Sequence, residues 1–202
     1  MKYFLKQSGF LFFYNIFMTI IALGILCIPG ENLAWLRIIL CVLNIALYLF
    51  IVGMTFFKEG QDALKTRNAN DLEREQIIKT GEALPLKLAE EYKPWKGFVM
   101  GAIICAPMVI ALIVHLIIAL ATHGTVNGAG AVAGLIYMSF FAIVSELASV
   151  ETLVWGQYFI MLYALPLISG ASGLSYIMGA NKIQAQYDRI HEQQRQIYGD
   201  KS

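Results

Sequence analysis

Five side chains are candidates for chemistry in a chain otherwise poor in it: Arg37, Asn44, His115, Glu146 and Glu151. They lie in or beside apolar runs, where a polar or ionisable group is costly and so marks a site until shown otherwise. Arg37, Cys41, Asn44 and Tyr48 recur at i, i+4, i+7 and i+11, which puts them on one helix face. A guanidinium forks onto phosphate or carboxylate oxygens, an imidazole exchanges a proton near neutral pH, and a glutamate can act as a general base. Gathered in one outer leaflet, these groups would make a polar site for a lipid headgroup or line a path for a polar solute. The plainer alternatives are structural. Arg37 sits near the start of its run and can snorkel to the interface or pair with Glu31, and His115 can bond a carbonyl one turn away.

Other catalytic signatures are missing. The chain has no phosphate-binding glycine-lysine loop, no HExxH and no GxSxG. Glu146 and Glu151 are five residues apart and so do not share a helical face. Cys27, Cys41 and Cys105 stand apart in apolar runs, without the paired spacing of a metal site or a disulfide framework. No metal, haem or other cofactor is expected, and enzymatic activity is not the favoured reading.

The elements that would position these residues are membrane helices. Of the 202 residues 58% are hydrophobic and 14% charged, against about 25% charged in soluble domains. A helix needs about 20 apolar residues to cross the ~30 Å hydrocarbon core. Phe10–Ile28, Leu33–Phe57 and Phe98–Ala121 meet that need, as does Leu153–Met178 with some tilt. Ala131–Ser145 is short, and a polar gap from Ser145 to Glu151 follows it. The expected fold is therefore all-α: a polytopic transmembrane bundle of four full crossings plus an outer re-entrant or interfacial helix at 131–145. Five crossings is the alternative. Lys2 and Lys6 before the first run fit a signal sequence, but no A-x-A cleavage pattern follows, so that run is read as a retained span.

Basic residues collect in cytoplasmic loops. Lys2 and Lys6 precede the first run, eight bases lie between Lys58 and Lys96, and four follow Gly179, whereas the links at 29–32 and 122–130 have none. This places the protein in the cell membrane as a multi-pass chain with its N-terminus cytoplasmic. Four parts result: a first hairpin (1–57), a cytoplasmic helical loop (58–97), a second membrane part (98–180) and a cytoplasmic amphipathic tail (181–202). Within the loop, Asn68-Ala69-Asn70 is expected to end one helix, Asn70 or Asp71 to cap another from Leu72 to about Leu84, and Pro85 to restart a short surface helix patterned by Leu84, Leu86, Leu88 and Tyr92.

Two patterns concern packing. Gly97 and Gly101, Gly130 and Gly134, and Ala171, Ser175 and Gly179 are small residues four apart, which let helices approach closely. In the tail, Ile183, Tyr187, Ile190, Gln194 and Ile197 follow a 4-3-4-3 spacing, an apolar seam that fits a protein partner, a homo-oligomer or the chain's own loop. Net charge of +1 gives no nucleic-acid footprint. The bilayer is the one partner the composition demands. Three functions follow: a non-enzymatic membrane subunit or accessory protein, which is preferred; a small oligomeric transporter or channel; or an intramembrane enzyme acting on lipid headgroups.

Overall fold

In the computed structural model the described residues are 2–81, 86–88, 90–121 and 164–198. They form four α-helices and no strand: α1 (Lys2–Leu26), α2 (Ala34–Thr80), α3 (Lys96–Ala121) and α4 (Ala164–Tyr198). Pro29 cannot donate to a further helical turn, and Gly30 takes a φ of +118°, a region open to a residue without a Cβ. Those two residues end α1, and a 3₁₀ turn at Glu31–Leu33 leads into α2.

The expected break at Asn68–Asn70 does not occur; α2 is one helix of 47 residues. Asparagine costs only about 0.7 kcal/mol relative to alanine inside a helix, and local interactions oppose the break. Asp71, expected to cap, instead pairs with Arg67 at 3.9 Å and Arg74 at 2.6 Å. Each such exposed pair adds a few tenths of a kcal/mol. Buried Asn70 accepts the Lys87 N–H at 3.2 Å. The helix stops at Gly81, whose φ of +73° lets its N–H return to the Ile77 carbonyl at 2.8 Å, a left-handed cap.

The expected surface helix from Pro85 to Tyr92 is not formed at its described residues: 86–88 and 90–92 are turns, a bend and irregular chain. Their backbone is engaged elsewhere. Lys87 N–H goes to Asn70, and Tyr92 N–H to the Ala63 carbonyl at 3.1 Å. Pro94 then removes a donor that a helix would use.

The chain divides into two compact units: Met1–Val52 with Val99–Ala171, and Gly53–Phe98 with Ser172–Ser202. In the first unit, Ser8, Leu11, Asn15, Met18 and Ala22 are the buried face of α1, spaced 3-4-3-4, and Cys41, Asn44, Tyr48 and Val52 are that of α2. Large apolar residues point outward: Phe10, Phe13, Phe17 and Ile20 on α1, and Trp35, Ile39, Leu43, Leu47 and Phe50 on α2. In the second unit, Leu64, Ala180 and Ile183 form a small core against Tyr92 and Tyr187.

Among the described residues one helix, α2, is long and apolar enough to cross a membrane; α1 is apolar over Ser8–Ala22 and α3 over Lys96–Pro107. The segment 131–145 and the first part of the run beginning at Leu153 lie outside the described residues.

Glycine sets the closest packing in the second unit. A Cβ at Gly60 would overlap the Tyr176 carbonyl, and one at Gly179 the Phe57 carbonyl, whereas Gly9 and Gly24 of α1 face open space. Gly60→Ala and Gly179→Ala should each lower stability by about 1–3 kcal/mol. Gly9→Ala and Gly24→Ala should be neutral or raise it by up to about 1 kcal/mol through helix propensity. Thermal unfolding followed by circular dichroism in mild detergent checks this, and equal effects at all four positions would refute it.

Candidate functional site

Cys41, Asn44 and Tyr48 are buried on α2, and Arg37 stands near the start of that helix. Asn44 Nδ2 donates to the Met18 carbonyl at 2.9 Å and the Tyr48 hydroxyl to the Leu11 carbonyl at 3.5 Å, tying α2 to α1. Ser8 Oγ donates to the Met100 carbonyl of α3 at 3.4 Å. Arg37 Nη1 donates to the carbonyls of Ile28 and Gly30 at 3.1 and 3.0 Å. A cation at the end of α1 complements the negative pole of that helix and satisfies carbonyls just past it. These donors are thus directed at main-chain oxygens.

Arg37 and Asn44 share the α2 face, while His115 is carried by α3. Glu146, Glu151, Gly130 and Gly134 lie outside the described residues. Gly97 belongs to the second unit, where a Cβ would strike Tyr176 and Gly173, and Gly101 is buried in the first unit. Ser175 Oγ would lie 3.2 Å from a Cβ on Gly53, and Gly179 meets Phe57.

The second unit holds the richer chemistry. The Tyr92 ring stacks on Tyr176 with centroids 5.3 Å apart, and Lys182 Nζ stands 5.6 Å over the Phe57 ring. Ser172 Oγ donates to the Gly97 carbonyl at 3.0 Å. Arg74 Nη2 meets Glu91 Oε1 at 2.9 Å, which fastens the chain before α3 to α2. Lys96 Nζ donates to the Glu91 carbonyl. Burial holds the Tyr92 phenol above its usual range, with the Arg67 charge opposing. Burial, then the charge of Lys93, holds Lys96 below its own, with Glu91 and Glu90 opposing.

Further along, α2 and α4 border a groove of about 480 Å³. Leu72, Tyr187 and Ile190 supply its apolar part, and Asp71 and Glu75 are its carboxylates. Among the described residues no cluster of three metal-ligating side chains occurs. Sequence reasoning missed Gly53, Gly60 and Gly173 as packing residues. Gly53 and Gly60 are seven apart, a heptad step outside a four-residue search, and Gly60 stands among charges, on a stretch read as a helix continuing into water. Asn15 and Ser8 were missed as well; the signal that could have found them is their register with Leu11, Met18 and Ala22.

The chain matches no protein-family model, no curated protein and no solved structure.

Asn44→Leu should cost about 0.6–2 kcal/mol, the range for a polar side chain bonding between apolar helices. Arg37→Ala should cost about 1 kcal/mol and raise proteolysis between Cys27 and Leu33, with Arg37→Lys intermediate. Thermal unfolding and limited proteolysis read both; a stable Arg37→Ala with unchanged cleavage would exclude the capping role.

Proposed function

We propose that the protein is a multi-pass integral membrane protein that works without catalysis, as a subunit or accessory protein assembling through its packed helices and a cytoplasmic helical platform. The observation that carries this is the reversal of the helix faces. Of the most apolar 18-residue window of α2, only 22% is buried inside the protein. A core helix of a water-soluble domain would be mostly buried. Here Asn15, Asn44 and Ser8 are inside, and phenylalanine, leucine and isoleucine are outside. Apolar residues are commonly exposed singly, but a continuous outward face together with buried amides is informative. Lipid covers the outer face at no cost, and polar side chains serve as glue between helices where water is absent.

The length of α2 supports the same reading. At 1.5 Å per residue its 47 residues extend about 70 Å, well beyond a ~30 Å hydrocarbon core. Its apolar half ends at Phe57, and the rest carries charge from Lys58 to Lys79. The distribution of bases puts this charged half, the N-terminus and the α4 tail in the cytoplasm, with four crossings in all. The donors of Arg37, Asn44 and Tyr48 turn to main-chain carbonyls, which favours a structural role for the stripe over a solute path or a headgroup site.

Thiol labelling tests the topology on the chain's own cysteines, since Cys27 is exposed and Cys41 and Cys105 are buried. A membrane-impermeant maleimide should label Cys27 in intact cells. Gln193→Cys, in a Cys27→Ser background, should react only after permeabilisation, and the protein should resist alkaline carbonate extraction. Release by carbonate would refute the membrane reading, and labelling of Gln193→Cys in intact cells would refute four crossings.

A further inference from the structure

We propose that the second unit binds anionic phospholipid, with Lys58, Lys93 and Lys182 meeting the headgroup phosphates where the helices leave the hydrocarbon. This rests on the membrane reading above, which puts these residues at the cytoplasmic interface. On each of the three helices that contribute to this unit, the charge nearest the apolar part is a lysine. Lys58 directly follows Phe57 on α2, Lys96 stands just before Phe98 on α3, and Lys182 comes soon after Gly179 on α4. Lys93 lies three residues ahead of Lys96. The contacts already described hold these segments together at one level of the unit. Gly179 meets Phe57, Gly60 and Gly97 meet Tyr176, Tyr92 stacks on Tyr176, and Lys182 stands over Phe57.

Exposed apolar residues lie one turn deeper than the lysines. Met54 stands four residues before Lys58 and Met178 four before Lys182, and both methionines are exposed. Residues four apart share a helix face and lie about 6 Å apart along the axis. Each lysine therefore continues a strip that is open to acyl chains. Helical side chains also lean toward the N-terminus of their helix, which for Lys58 and Lys182 is toward the bilayer. Trp95, exposed between Lys93 and Lys96, has the place of an interfacial anchor.

Charge decides which lipid fits. Over 53–60, 92–98 and 174–183 the chain carries four lysines and one acid, Glu59. Glu90 and Glu91 lie just ahead of these stretches, and the Glu91 carboxylate is held by Arg74 at 2.9 Å. Lys58, Lys93 and Lys182 are exposed, and among the described residues no carboxylate pairs with any of them. A zwitterionic headgroup balances its own phosphate, whereas an anionic one leaves that charge for the protein to meet. Bases near a membrane surface each favour anionic lipid by about fivefold.

The test uses the full chain with Trp35→Phe and Trp155→Phe, so that Trp95 is the reporter, in phosphatidylcholine vesicles holding a minor share of phosphatidylglycerol. Brominated acyl chains quench a tryptophan they touch. At an equal share of brominated lipid, phosphatidylglycerol should quench Trp95 as though enriched about fivefold over phosphatidylcholine. Combining Lys58→Gln, Lys93→Gln and Lys182→Gln should abolish that preference. Salt at 1 M should do the same with the lysines intact, because the Debye length falls to about 3 Å. The corresponding arginine substitutions should keep it, which separates loss of charge from loss of fold. Lys79→Gln, about 30 Å farther along α2, should leave it unchanged. A preference that survives the glutamine substitutions or the salt, that is lost with arginine, or that falls equally in Lys79→Gln would overturn the proposal. Equal quenching by the two lipids would sink it and leave the membrane reading intact; no quenching by either would sink both.

Discussion

In the second unit two helix backbones meet where each lacks a side chain. Gly60 of α2 lies against the Tyr176 carbonyl, and Gly179 of α4 lies against the Phe57 carbonyl. No Cβ fits at either position, so the approach depends on glycine in both helices. The neighbouring contacts follow from this pair of approaches. They set Tyr176 within stacking distance of Tyr92 and Lys182 over Phe57. They also bring Ala180 and Ile183 onto Leu64. Close backbone approach gains dispersion over many atom pairs, each worth about 0.1–0.2 kcal/mol. It also costs little side-chain entropy, because glycine has none to lose.

The first unit uses a different device. Its buried faces hold Ser8, Asn15 and Asn44 among aliphatic residues, and their register is strict. An amide placed one position away would meet lipid in the proposed setting, at several kcal/mol with no partner. Hydrogen bonds from Asn44 and Tyr48 to α1, and from Ser8 to α3, therefore select one pairing of helices. Arg37 belongs to the same economy of satisfied carbonyls. A guanidinium with several donors suits the end of α1, where acceptors lose their helical partners.

The helices themselves were legible in the sequence, because apolar run length and Pro29-Gly30 act locally. Two local signals misled. Asn68-Ala69-Asn70 has the composition of a helix end, but Arg67, Asp71 and Arg74 are spaced to pair along a continuous helix, and Asn70 has a distant partner in Lys87. Leu86, Leu88 and Tyr92 have a spacing that a surface helix and an irregular strap share, and the bond from Tyr92 N–H to Ala63, distant in sequence, decides between them. The proposed cluster of Arg37, Asn44, His115, Glu146 and Glu151 needed a topology that local composition does not specify. The carbonyl partners of Arg37 depend on how the link from α1 to α2 turns back, which its own helix does not specify.

Continuity across the end of the apolar runs has its own physical reason. Each helix end leaves four N–H or four C=O groups without intrahelical partners. If α2 ended where its apolar half gives way to charge, near Phe57, those groups would need caps, which in the proposed membrane setting would fall at the edge of the hydrocarbon. Instead the helix runs unbroken to Thr80 and exchanges side-chain character while its backbone bonding stays the same. α4 does likewise, passing through Gly179 from an apolar half into a charged tail. Helices that cross the boundary intact carry the spacing set among apolar residues into the charged region. The glycine contacts around Phe57 and Tyr176 lie near this change of character, and the packing of α2 on α4 continues past them at Leu64, Ala180 and Ile183. Farther along the same two helices, Leu72 and Ile190 line a groove.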